Sequence, residues 1–132
     1  MLDRAAEDLG FAKLDHDRAY RKAFPEVVFG SGKTPEQVGI IAERIYARAG
    51  VVLATRVENA AFNEMKKRIP TACFSEIGRG AYADRRPPAE KISGLVLTSA
   101  GTGDQRVAEE ASITAELMGC KIERLNDVGV AG

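Results

Sequence analysis

The chain has 132 residues, 45% apolar and 29% charged, with 19 basic and 19 acidic side chains and a net charge of zero. That length suits one ordinary domain or two small ones, and the composition is that of a packed globular protein rather than a disordered one. Zero net charge excludes nucleic-acid binding driven by bulk positive charge. No apolar run approaches the ~18 residues of a membrane span, and Met1-Leu2-Asp3-Arg4 does not open a signal peptide, so a cytoplasmic protein without membrane or nucleic-acid partners is expected. Cys73 and Cys120 stand far apart, with neither disulfide nor zinc spacing. Residues 1–88 carry 15 basic and 12 acidic side chains and residues 89–132 carry 4 and 7, so the halves have opposite charge. Between them, Arg85-Arg86-Pro87-Pro88 reads as a linker, or as a rigid turn inside one domain.

In chain order, the first mixed segment is Phe11 to Lys22, where one lysine precedes Asp15, His16, Asp17 and Arg18, with Arg21 beyond. Such a set suits an anionic nucleotide or an acid–base pair. An amphipathic helix laced with i,i+3 and i,i+4 ion pairs accounts for it as simply. Glu26 to Gly30 predicts a short strand. Thr34-Pro35-Glu36-Gln37 predicts a helix start with a capping box and proline at its first position. Val38, Ile41, Ala42, Ile45 and Ala49 then repeat at helical period, and Gly50 stops them.

Val51 to Thr55 is a continuous apolar run, as in a strand buried on both faces. A helix follows from Asn59 to Arg68, stopped by Pro70, and Ala72 to Ser75 is a third candidate strand. Residues 76–91 read as loop. Ile92 to Leu97 predicts a strand, Val107 to Met118 a helix, and Lys121 to Leu125 a final strand. The order implies an α/β fold of parallel β-α-β units: an N-terminal α/β region over 1–88, then the first β-α-β of a Rossmann-like domain over 89–132.

The turn Gly101-Thr102-Gly103-Asp104 joins a strand to a helix, where unpaired N–H groups and the helix dipole favour a phosphate. Gly101 and Gly103 permit positive φ and close approach, Thr102 offers a hydroxyl, and Asp104 suits a helix cap or a ribose hydroxyl. The same glycines also serve geometry alone, and Arg106 stands where a dinucleotide fingerprint needs its third glycine. Arg56, just past an apolar strand, is placed to offer a forked donor to an anion. Cys73, in a strand, and Cys120, past a helix end, read as small hydrophobes. The lone histidine makes no metal site.

Two stretches together resemble one family. Phe11-Ala12-Lys13-Leu14-Asp15-His16-Asp17-Arg18, with Phe24 to Gly30 and Gly32-Lys33-Thr34, resembles the N-terminal signature of the nickel-pincer cofactor biosynthesis enzymes of the lactate racemase system. Ser99 to Asp104, Val107 to Ala111 and Asp127 to Gly132 resemble its second half, which is similar to aminoimidazole ribonucleotide carboxylase. The resemblance implies carboxylation of the pyridinium ring of nicotinate adenine dinucleotide, with CO₂ or bicarbonate as co-substrate, and hydrolysis of its phosphoanhydride. It also implies a homo-oligomer at full length, and it leaves room for a divalent metal. Gly101, Thr102, Gly103 and Asp104 then face phosphate, and Lys13, Asp15 and Arg56 share an anion crevice.

Two departures stand out. The family's turn usually has Ser or Ala where Gly103 stands, followed by an apolar residue and proline where this chain has Gln105-Arg106. The family's nucleophilic cysteine, which adds to the ring and makes it electron-rich enough to attack CO₂, has no counterpart before Gly132. A fragment without carboxylase activity of its own, poorly stable alone, is therefore expected. The alternatives are a purine-type carboxylase, which does not need the signature around Lys13, and a non-catalytic nucleotide-binding or interaction module.

Overall fold

A computed structural model describes residues 6–16 and 24–129. The described residues open on a hairpin of β1 (Ala6–Asp8) and β2 (Lys13–Asp15), turned at Gly10 with φ +86°. This replaces the amphipathic-helix alternative over residues 13–15; residues 17–23 of that segment lie outside the described residues. From the hairpin, Leu14 is buried in the main core.

Next come β3 (Val28–Phe29), α1 (Pro35–Ala49), β4 (Val51–Thr55) and α2 (Asn59–Arg68). Helix α1 is built as its sequence dictates. The Thr34 hydroxyl accepts from the Gln37 N–H at 3.2 Å, and the Gln37 side chain accepts from the Thr34 N–H at 3.0 Å. Gly50 ends the helix at φ +74°, donating to the Tyr46 carbonyl at 2.9 Å. The buried face of α1 meets α2, and Gly39 lets them close: a Cβ there would stand 3.1 Å from the Glu64 backbone.

The sheet departs from expectation. Residues 80–84, expected as loop, form β6 (Gly80–Asp84), which lies between β4 and β5 (Cys73–Ser75) and is antiparallel to both. The order is β3-β4-β6-β5, and only β3 and β4 run parallel. The α/β class holds, but the N-terminal region is a mixed sheet rather than a parallel one. Strand β6 escapes notice because Gly80-Ala81-Tyr82-Ala83-Asp84 lacks β-branched residues. Its alanines, Ala81 and Ala83, are buried beneath the helices. Cys73 is exposed on β5, contrary to its reading as a buried small hydrophobe.

Residues 92–125 form β7 (Ile92–Thr98), α3 (Gln105–Leu117) and β8 (Cys120–Leu125), the two strands parallel in a separate sheet. Helix α3 does more than cover its own strands. Its Ile113 and Leu117 pack on Val51, Leu53 and Phe24, on the face of β4 opposite the main core. The strands β7 and β8 leave Ile92, Leu95, Val96 and Leu125 exposed, on both faces of their sheet.

The two arginines of the expected linker bind helix ends. Arg85 donates to the Tyr46 and Ala47 carbonyls at the end of α1, at 3.1 and 2.9 Å, and lies over the Tyr46 ring. Arg86 grips both carboxylate oxygens of Asp84 and donates to the Leu117 carbonyl of α3 at 2.7 Å. Cations suit helix C-termini, where unpaired carbonyls gather. The bond from Arg86 holds the Asp84 carboxyl below its usual range, more than partial burial raises it.

Two predictions follow from this packing. Arg86→Met should cost about 1–2 kcal/mol near pH 7 by urea unfolding, since it removes a charge-assisted pair and a helix-end bond. Because the folded-state value of Asp84 is depressed, the carboxylate share of that loss is present above the ordinary value of 3.8. It fades as pH falls through the folded value, so the gap between wild type and variant must narrow in acid. An equal gap at all pH values contradicts the assignment.

The second concerns Gly30, whose N–H pairs with the Thr55 carbonyl at 2.8 Å. A Cβ there would stand 2.5 Å from Val57 and 2.9 Å from the carbonyls of Thr55 and Arg56. Gly30→Ala should therefore destabilise by about 2–3 kcal/mol, more than the ~1 kcal/mol of Thr34→Ala, which loses only the cap. The reverse order of urea midpoints would show that β3 does not sit this close to β4.

Candidate functional site

At the C-terminal ends of β7 and β8 the backbone turns outward on both sides of a cleft of about 370 Å³. Parallel sheets place ligands in such crevices. Past the strands the two chains stay joined. The Ser99 N–H donates to the Leu125 carbonyl at 3.0 Å, and the Val128 N–H to the Ser99 carbonyl at 3.2 Å. Ser99 is buried, and its hydroxyl meets the Asn126 side-chain oxygen at 3.2 Å. Asp127 takes φ +57°, the left-handed conformation that asparagine and aspartate tolerate best among residues with a side chain.

The Gly-rich turn forms one wall. Thr102–Asp104 is a 3₁₀ turn that runs straight into α3. Gly101 is extended at φ −177°, and Gly103 is not among the positive-φ glycines, so neither uses the left-handed freedom expected of it. A Cβ on either would meet nothing within 4 Å, so the surface there is open. Asp104 does not cap α3. Its carboxylate accepts from the Ala100 N–H at 3.0 Å and closes the turn on itself. The opening N–H groups of this helical stretch, at Gly101 to Gly103, have no carbonyl ahead of them to pair with.

Helix α3 brings Gln105 and Glu109, one turn apart, to the cleft. Arg124 crosses from β8 to bind Glu109 at 2.7 Å. Ile77, from the β5–β6 turn, completes the lining with an apolar side chain. The site thus offers backbone donors, one guanidinium paired with Glu109, two amides and two carboxylates, a set rich in hydrogen-bonding groups for a polar ligand.

Of the residues singled out in the sequence, Gly101 lines the cleft, and Thr102, Gly103 and Asp104 form the exposed turn beside it. Lys13 and Asp15 lie on β2, where the Asp15 N–H donates to the Glu26 carboxylate at 3.1 Å. Arg56 follows β4 and pairs with Glu110 of α3 at 3.0 Å. None of these three lines the cleft. Sequence reading missed Gln105, Glu109, Arg124, Asn126 and Asp127 as site residues. The available signal was position: Asn126 and Asp127 follow a parallel strand as directly as Ser99 does. Among the described residues no group of three His, Cys, Asp or Glu side chains is gathered to hold a metal, and no helix is long and apolar enough to cross a membrane.

Comparison with known proteins agrees with this architecture. The uncharacterized protein MJ0165 of Methanocaldococcus jannaschii is 32% identical over 126 residues, a match spanning 91% of this chain and 49% of that protein. The chain therefore spans about half the length of the curated relative it matches. Residues 6–85, from the hairpin through β6, match the family described as LarB/PurE-like N-terminal domain, and the chain belongs to that family.

Proposed function

We propose that this chain holds the nucleotide for a carboxylase that acts on nicotinate adenine dinucleotide in nickel-pincer cofactor biosynthesis. The reaction carboxylates the pyridinium ring with CO₂ or bicarbonate and hydrolyses the phosphoanhydride. The observation that carries this reading is the cleft at the shared C-terminal ends of β7 and β8, with the start of α3 on its wall. Membership of the LarB/PurE-like family supports the reaction class.

In this reading the N–H groups of Gly101, Thr102 and Gly103 receive phosphate oxygens where the dipole of α3 is positive. Asp104 keeps the turn in shape by holding the Ala100 N–H. The Arg124 guanidinium, released in part from Glu109, offers a second donor to an anionic group. Asn126 and Gln105 supply neutral hydrogen bonds for a ribose or base. The resemblance assigns the ring adduct to a cysteine that neither Cys73 nor Cys120 matches, so in this reading the described residues bind the nucleotide and the adduct chemistry is not placed on them. Exposed apolar side chains on β7 and β8, among them Ile92 and Leu125, support association into an oligomer. The purine-type alternative, carboxylation of aminoimidazole ribonucleotide, draws on the resemblance of Ser99 to Asp104 and Val107 to Ala111 to that carboxylase.

Titration with adenosine monophosphate, followed by backbone amide shifts, tests the site. Residues 99–105 and 126–127 should move on saturation, and Arg124→Gln should weaken binding by about fivefold to tenfold. Still amides at those positions contradict the reading. Turnover assays of a longer protein with each substrate separate the two reactions: product from nicotinate adenine dinucleotide supports the proposal, and product from aminoimidazole ribonucleotide alone overturns it.

A further inference from the structure

The lining of the cleft is polar with one exception. Ser99, Gln105, Glu109, Arg124, Asn126 and Asp127 present oxygen or nitrogen, and among the described residues that line it Ile77 alone presents a hydrocarbon side chain. Ile77 is 58% exposed. A lone apolar side chain on open surface needs no explanation, but one set into a polar cleft keeps hydrocarbon in water where a ligand would cover it. Ile77 also comes from elsewhere in the fold. The other lining residues belong to or directly adjoin β7, α3 and β8, whereas Ile77 belongs to the turn between β5 and β6.

That turn is held from several sides. The Gly78 N–H donates to the Ser75 hydroxyl at 3.1 Å, and the Arg79 carbonyl accepts from the Val57 N–H at 2.9 Å. Gly78 brings the backbone close against α3, since a Cβ there would stand 3.0 Å from Glu109 Cγ and 3.2 Å from the Glu110 nitrogen. Ile77 directly precedes this contact, and its β-branched side chain is stiff at χ1. A side chain placed in advance in this way costs a ligand little ordering entropy to cover.

We propose that Ile77 is a specificity-determining residue of the cleft, covering the flat face of a heteroaromatic ring on the ligand. The inference rests on the nucleotide reading of the cleft and narrows it: polar groups meet the phosphate and ribose, and Ile77 meets the ring. The cleft volume of about 370 Å³ lies in the range of small-ligand sites and exceeds what a phosphate alone would fill. The family domain over residues 6–85 then supplies a ligand contact as well as a scaffold.

The test compares adenosine monophosphate with ribose 5-phosphate, which keeps the phosphate and the sugar but lacks the ring. The Ile77 δ1-methyl resonance should move with the first, through the ring current, and stay still with the second. Ile77→Ala should weaken adenosine monophosphate binding by about fivefold to tenfold and leave ribose 5-phosphate within about twofold. Ile77→Val, which keeps most of the apolar contact, should stay within about threefold of wild type for both. A still methyl while the amides of residues 99–105 respond to adenosine monophosphate overturns this inference and leaves the nucleotide reading standing. Silence at methyl and amides alike overturns both. Equal weakening of the two ligands in Ile77→Ala marks a merely structural role and also overturns the inference.

Discussion

The fold depends on strand β4 being buried on both faces. Successive side chains of a strand point to opposite sides, and Val51 to Ala54 is apolar on both. Val52 and Ala54 face the core formed by α1 and α2. Val51 and Leu53 face Ile113 and Leu117 of α3. Burying side chains of this kind stabilises by about 1.5–3 kcal/mol each, so leaving either face bare would be expensive. Helix α3 is therefore fixed by a sheet to which its own flanking strands do not belong.

That placement builds the cleft. With its C-terminal half seated on β4 and its end held by Arg86, α3 presents its N-terminal half to the ends of β7 and β8. Gln105 and Glu109 then face the cleft, while Glu110, one position on, meets Arg56 at the end of β4. One helix so borders both the cleft and the Arg56 ion pair, and the β5–β6 turn, through Gly78, packs against it. A free-standing β-α-β unit would lack this support, because its two strands cannot cover an amphipathic helix alone.

Legibility in the sequence followed the strength of the local signal. Helix α1 and strand β4 were readable to the residue, because capping box, apolar period, terminal glycine and buried run all agreed. Strand β6 was not, since alanine marks a close helix contact rather than a strand. The hairpin β1–β2 was hidden by its polar side chains, with Leu14 alone buried. Arg85 and Arg86 looked like linker charge because their partners, the ends of α1 and α3, are remote in sequence. The Gly-rich turn could be found from its spacing, but the meeting of Arg124 with Glu109 depends on the register that pairs β7 with β8.

The account stands or falls on where a nucleotide sits. A crystal structure of this chain with adenosine monophosphate bound is the most direct measurement. The account predicts the phosphate within hydrogen-bond distance of the Gly101 to Gly103 amides, and the nucleoside in the cleft beside Ser99 and Asn126. A nucleotide bound elsewhere, with the cleft filled only by solvent at saturating ligand, would contradict it.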